Sequence, residues 1–283
     1  MKYSVEKIKT RDGLVLDGLF FNLRNRNRAI LFIHGFPGNF RSNQKIIEAF
    51  IGVGFAVLAL NTRGHDILNI THKEKGGYRV LGSAMERFED CVLDISAGVG
   101  FLKKKGFKEI LLAGISSGAD KVGYYLSQNG DRAIIAAIFI SPGSNILIGR
   151  KELGKDFQGL LEESIEMTRK GFGLLPILGN RLEFPISYQR FSSLYSENSS
   201  ENVFPFHNKK TDFKILAKIK IPILILMGDK DKYFFSKNIK TIANLLKRNI
   251  KNKPSRVEVV RGANHSFENK EKELAEKVKN WIE

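Results

Sequence analysis

The stretch Glu109 to Val122, EILLAGISSGADKV, decides the reading of this chain. Four consecutive apolar residues, Ile110 to Ala113, suit a strand buried on both faces. They run into Gly114-Ile115-Ser116-Ser117-Gly118, and the residues beyond continue with helical character. A G-x-S-x-G pattern between strand and helix predicts a sharp turn that lifts the middle serine clear of a sheet. Such a turn strains the serine backbone, and glycines are needed where a Cβ would meet neighbouring chain. The hydroxyl of Ser116 would then stand at a helix N-terminus, where the dipole and free N–H groups favour negative charge. A nucleophile in that position requires a base, an acid and an oxyanion hole elsewhere in the chain.

The HGFPG loop, His34 to Gly38, offers the oxyanion hole. It follows an apolar run, Ala29 to Ile33, that reads as a second buried parallel strand. Glycine-rich turn geometry frees backbone N–H groups to face a developing oxyanion. The expected donors are the N–H of Phe36 and the N–H of Ser117, the residue after the nucleophile; Pro37 has no N–H to give. His34 is expected to brace this loop by hydrogen bonding.

The acid is expected after Ile221 to Met227, another buried strand, in Gly228-Asp229-Lys230-Asp231. Asp229 and Asp231 compete, and the Gly-x-x-Asp spacing favours Asp231, leaving Asp229 as a turn residue. The base is expected in Gly262-Ala263-Asn264-His265-Ser266-Phe267. Of the five histidines only His265 falls third in the order Ser…Asp…His.

Around these motifs the chain alternates strands and helices. Residues 3–8 and 14–22, joined by Arg11-Asp12-Gly13, read as an antiparallel hairpin. Helices are expected over Ser42–Gly52, Ser83–Lys105, Ser117–Gln128 and Asn238–Arg248, with a last one through Trp281. Further strands are expected over Phe55–Leu60, Ala133–Ile140 and Arg256–Val260. Asp120, in the first turn of the elbow helix, is accounted for by the helix dipole, and Cys91 by core packing. His65-Asp66 lacks a third ligand at metal spacing and reads as a loop-stabilising cluster. Gly98-x-Gly100 lies inside a helix and is not a dinucleotide fingerprint.

From about 145 to 211 the alternation stops. One amphipathic helix (Leu153, Phe157, Leu160, Leu161, Ile165) precedes an irregular stretch rich in Phe, Tyr, Ser and Asn. An excursion between core strands predicts a cap over the site. The expected organisation is core at 1–144, cap at 145–211 and core again at 212–283. Phe172, Phe184, Tyr188, Phe191, Tyr195, Phe204 and Phe206 either line a pocket or form the cap's own core.

Composition narrows the partners. The net charge of +16 comes from lysines scattered among glutamates, without an RNA- or DNA-binding motif, so nucleic acid is not an expected partner. The longest apolar run, Ala133 to Ile140, is too short to cross a bilayer, so no stable membrane insertion is expected. MKYSVEKIKTRDG shows no apolar signal core and a single cysteine allows no internal disulfide, so the expected address is cytoplasmic.

Ser116, Asp231, His265 and the HGFPG loop together resemble the α/β-hydrolase superfamily over nearly the whole length, least in the cap. HGFPGN, NTRGHD and GANHSF resemble carboxylesterases of the cinnamoyl- and siderophore-esterase-like branches and also the serine aminopeptidase group. Ile115 departs from the histidine that many relatives carry before the serine, at a position normally given to packing. The resemblance implies a mostly parallel sheet of about eight strands with helices on both faces, a hairpin at one edge and a cap. It implies a Ser-His-Asp esterase acting on small or medium acyl or aromatic esters through an acyl-enzyme, with no metal or organic cofactor. The alternatives are a peptidase or amidase of the aminopeptidase type and a non-catalytic ligand-binding homologue.

Overall fold

The computed structural model describes residues 3–283 except 24–26, 180–181, 208–212, 235–237, 251 and 253. The outer end of the expected cap, 208–211, therefore lies outside the described residues.

The elements follow the order β1 (Ser4–Lys9), β2 (Leu14–Phe21), β3 (Arg28–Ile33), α1 (Gln44–Gly52), β4 (Ala56–Leu60), β5 (Asn69–Lys73) and β6 (Tyr78–Leu81). Then come α2 (Cys91–Lys104), β7 (Glu109–Ile115), α3 (Ser117–Gln128), β8 (Ile134–Ile140), α4 (Asn145–Leu153), α5 (Asp156–Arg169) and α6 (Tyr188–Tyr195). The chain closes with β9 (Ile223–Gly228), α7 (Ile239–Asn249), β10 (Arg256–Val260) and α8 (Glu271–Ile282).

Ten described strands form one sheet in the order β10-β9-β8-β7-β3-β4-β2-β5-β6, with β1 paired to β2. From β10 to β4 every pairing is parallel, and from β4 outward through β2, β5 and β6 every pairing is antiparallel. The expected count of about eight strands is corrected to ten by β5 and β6. Their residues, NITHK and YRVL, mix polar and charged side chains, Lys73 and Arg79 among them, with few apolar ones, so the period-2 signal was too weak to register. The correction moves the edge: β2 is flanked on one face of its ladder by β4 and β5, and β6 takes the outer position. The expected helix over 83–105 starts later, at Cys91, after a turn at 83–85 and a short 3-10 helix over Phe88–Asp90.

Successive residues of β7 feed opposite cores. Ile110 and Leu112 pack towards α2, α3 and α7 through Ile95, Val99, Val122 and Leu246. Leu111, Ala113 and Ile115 pack towards α1 and α8 through Ile47, Phe50, Leu274 and Val278. Burying a strand on both faces is what the uninterrupted apolar runs required, and it fixes the carboxyl ends of β3, β7, β8 and β9 in register above the sheet.

Candidate active site

The five candidate residues all sit beyond the carboxyl ends of parallel strands: Phe36 after β3, Ser116 and Ser117 after β7, Asp231 after β9 and His265 after β10. Ser116 caps β7 with φ 52° and ψ −126°, the strained turn its sequence predicts. Two glycines make this turn possible. A Cβ on Gly114 would stand 2.2 Å from the carbonyl oxygen of Gly118, and one on Gly118 would stand 2.4 Å from that of Ile33. No rotamer relieves a clash with backbone, so both positions exclude any other residue. The Ser116 N–H remains in the sheet, donating to the Ile140 carbonyl at 2.9 Å.

The HGFPG loop crosses directly over the serine. Cβ placed on Gly35 would be 3.0 Å from Ser116 Cβ and 3.7 Å from Ser116 Oγ. His34 holds the loop from below, as expected of it. Its Nδ1–H donates to the Gly35 carbonyl at 2.9 Å, and its Nε2 accepts the Thr62 N–H at 3.2 Å. Complete burial, with Lys121 adding to it, pushes the imidazole down to about 3, so it is neutral at pH 7.

Asp231 and His265 come from the loops after β9 and β10. His265 Nδ1 lies 2.7 Å from Asp231 Oδ2, with the carboxylate fully buried and the imidazole 18% exposed. The second carboxylate oxygen accepts the Tyr233 N–H at 2.9 Å. Asp229 instead accepts the Gly262 N–H at 2.7 Å, so its side chain ties the β9 turn to the loop carrying His265 rather than bonding its own loop as expected. The two loops touch because β9 ends in Gly228, where a Cβ would stand 2.2 Å from the Ala263 carbonyl oxygen.

Two supports escaped the sequence reading. Ser141, with φ 45°, donates its hydroxyl to the His265 carbonyl at 2.7 Å. The Tyr233 ring meets the His265 ring edge-on with centroids 4.5 Å apart. Neither belongs to a motif; Ser141 at the head of Ser141-Pro142-Gly143 after β8 was the only available signal.

Ser116, Ser117, Phe36 and His265 open onto one cavity of about 370 Å³, with Asn145, Glu152, Glu183, Phe184, Tyr195 and Tyr233 among its other walls. The aromatic candidates therefore divide. Phe184 and Tyr195 reach the cavity, while Phe191 and Tyr188 join a small core with Leu160, Ile177, Ile186 and Leu194. Phe204 and Phe206 belong to the main core, and Phe172 is exposed.

Beneath the loop lies a chain of buried charges. Lys121 of α3 donates to Glu86 at 2.7 Å and reaches Thr62 Oγ1 at 3.4 Å. Arg190 of α6 pairs with Glu201 and with Glu86, donates to the Ser83 carbonyl at 3.0 Å, and carries the Phe36 ring 5.6 Å from its guanidinium carbon. Burial alone would raise the Glu86 carboxyl, but Lys121 and Arg190 hold it below its ordinary value. The dipole account of Asp120 is corrected. The side chain is buried, and desolvation with Glu201 nearby pushes its carboxyl well up against the opposing pull of Arg190 and Lys121, so burial and these charges, not the helix dipole alone, set its environment. In the NTRGHD loop, Arg63 is buried against Asp94, Asp12 and Asp90, and His65 bonds its own loop at Thr62. Among the described residues no group of three His, Cys, Asp or Glu is placed to hold a metal ion, and no helix is long and apolar enough to cross a membrane.

A mostly parallel sheet wrapped by helices, with a serine elbow at the end of its central strand, defines an α/β-hydrolase. Within that class, the chain belongs to the family described as "Protein of unknown function (DUF1749)", whose profile matches residues 53–283. It is similar to a putative non-heme chloroperoxidase of Synechocystis, 21% identical over 263 residues and 88% of each chain. Among solved structures it is similar to Est1E of Butyrivibrio proteoclasticus with ferulic acid bound, at 19% identity, 98% and 97% coverage and a TM-score of 0.67. An esterase of Pyrococcus furiosus matches at 19% identity, 99% and 90% coverage and a TM-score of 0.64. At such identities the likeness is one of fold.

Proposed function

We propose that this protein is a serine hydrolase that cleaves carboxylic esters of small or medium acyl or aromatic groups. One observation carries the reading: a strained, cavity-facing Ser116 shares that cavity with a His265 held by buried Asp231. His265, with Nδ1–H on Asp231, presents Nε2 as the base that takes the Ser116 proton. Ser116 Oγ attacks the ester carbonyl, and the Phe36 and Ser117 N–H groups receive the oxyanion. The protonated imidazole gives its proton to the departing alcohol. Water, deprotonated by the same imidazole, then attacks the acyl-enzyme and releases the acid. Each oxyanion donor contributes about 3–4 kcal/mol.

The insertion between β8 and β9 serves in this reading as the cap, since Phe184 and Tyr195 reach the cavity from it. The esterase neighbours agree with this chemistry without fixing the substrate. The test is turnover of p-nitrophenyl esters, acetate to octanoate, by wild type and Ser116→Ala. Turnover in the wild type that vanishes in the variant supports the mechanism; equal rates in both, or none on any ester, would overturn it.

A further inference from the structure

The chain carries +16 overall, yet the described wall of the cavity beside Ser116 contains two glutamates and neither lysine nor arginine. Glu152 reaches the cavity from α4, and Glu183 from the segment before Phe184. Among the described residues neither carboxylate is in a hydrogen bond or an ion pair. Lys232, the cation that acts on Glu152 from a distance, stands with its Nζ 5.0 Å over the Tyr233 ring. Partial burial and the like charge of Glu183 raise the Glu152 carboxyl above its ordinary value. Two carboxylates repelling each other in a free site are relieved by a positive ligand group.

The remaining walls say which kind of cation. Phe36 and Phe184, with ring centroids 5.5 Å apart, Tyr195 and Tyr233 all face this cavity. Tyr195 is largely enclosed, its ring against Phe157 and Phe191, and its hydroxyl has no hydrogen-bond partner among the described residues. After burial, the charge of Glu152 is the main influence raising that hydroxyl. Aromatic faces with nearby carboxylates suit an organic ammonium, and among the described residues no group of three His, Cys, Asp or Glu is placed to hold a metal ion there.

We propose that the cavity beside Ser116 selects esters carrying a cationic ammonium group, bound by Glu152 and Glu183 against Phe184, Tyr195 and Tyr233. The ligand site itself rests on the esterase reading above, and the acids and rings set its specificity.

The experiment uses isosteric pairs that differ only in charge. On the alcohol side, butyrylcholine is compared with 3,3-dimethylbutyl butyrate. On the acyl side, the p-nitrophenyl ester of 4-(trimethylammonio)butanoate is compared with that of 5,5-dimethylhexanoate. In at least one pair kcat/KM for the charged member exceeds that of its neutral partner about tenfold or more at low salt. The ratio falls towards one in Glu152→Gln/Glu183→Gln, and partly in each single variant. The ratio is the readout, so a general loss of activity in the variants does not imitate the result. Ratios at or below one in both pairs, with p-nitrophenyl butyrate still cleaved through Ser116, would overturn this inference and leave the esterase reading intact. If no ester turns over, calorimetric binding of tetramethylammonium decides: uptake sensitive to the double variant retains the cation site, and no uptake overturns it.

Discussion

Gly228→Ala tests whether the candidate triad is assembled by backbone contact. The added Cβ would meet the Ala263 carbonyl oxygen at 2.2 Å, the Ala263 carbonyl carbon at 2.6 Å and the Asn264 oxygen at 2.9 Å. All three are main-chain atoms, so no side chain can turn aside. Ordinary contact begins near 3.4 Å, which asks the 262–265 loop to retreat by about 1 Å. That loop delivers His265, whose hydrogen bond to Asp231 is 2.7 Å in the native arrangement. Lengthened by about 1 Å, it passes the limit of a useful hydrogen bond. The overpacking costs about 1–3 kcal/mol, and a displacement of this size at a base lowers kcat about 100-fold. That loss corresponds to about 2.7 kcal/mol of barrier. The matched control is Gly100→Ala. It sits in α2 with nothing within 4 Å of its Cβ, so the same change there stabilises by about 0.5–1 kcal/mol. Both variants are assayed for p-nitrophenyl butyrate turnover and thermal midpoint. A Gly228→Ala protein within twofold of wild-type kcat and with an unmoved midpoint would refute the reasoning.

Asp231→Asn, which reverses the hydrogen-bond preference at His265 Nδ1, lowers kcat about 10³–10⁴-fold, while Asp229→Asn stays within a few-fold; the order of the two in ester assays decides between the aspartates. His34 is held neutral at about 3 against an ordinary 6.5, so only the unfolded chain gains its proton between these values. Its contribution is therefore complete above pH 6.5 and is lost as pH falls towards 3, by up to about 1.4 kcal/mol per pH unit; urea midpoints at pH 7 to 4 show this slope in wild type and its loss in His34→Gln. Amides of α6 exchange hydrogen as slowly as those of β7, and those of 170–178 much faster, because swinging α6 away would strand Arg190, Glu201 and Glu86 at about 3–5 kcal/mol. Fast exchange throughout α6 would mean that the proposed cap hinges there.

The core and the candidate site were legible for one physical reason. Buried parallel strands leave uninterrupted apolar runs, and the glycines needed at their ends are irreplaceable, so Ile110–Gly118 and Ile223–Gly228 announce themselves. The choice between Asp229 and Asp231 followed from spacing, and the structure places the second of them on His265. What could not be read depends on contacts between distant segments. The β5–β6 hairpin exposes Ile70, Tyr78 and Val80, so its burial pattern has no clean alternation to detect. Asp120 looks like any acid in a first helical turn until the fold seals it beneath Arg190 and Glu201. Which aromatic side chains reach the cavity depended on the path of the insertion, and neighbours in sequence such as Phe191 and Tyr195 went to different fates.

The buried ion chain explains why the insertion can differ from the rest of the fold and still serve the site. Arg190 and Glu201 come from the insertion, Lys121 from the elbow helix, and Glu86 from the loop after β6, three segments far apart in sequence. They meet under Phe36, whose N–H is the proposed oxyanion donor and whose ring lies against the Arg190 guanidinium. Each of these charges has been taken out of water, and its partners offset that cost only while the arrangement is complete. Movement of α6 is therefore opposed by the same interactions that hold the HGFPG loop, the proposed oxyanion loop, and the two are set together. The freedom left to the insertion lies in the stretch carrying exposed Phe172, Leu174, Leu175 and Leu178, which takes no part in that chain. Under the proposed function, substrate selection then falls to cavity walls such as Glu152, Glu183 and Phe184 rather than to a hinge at α6.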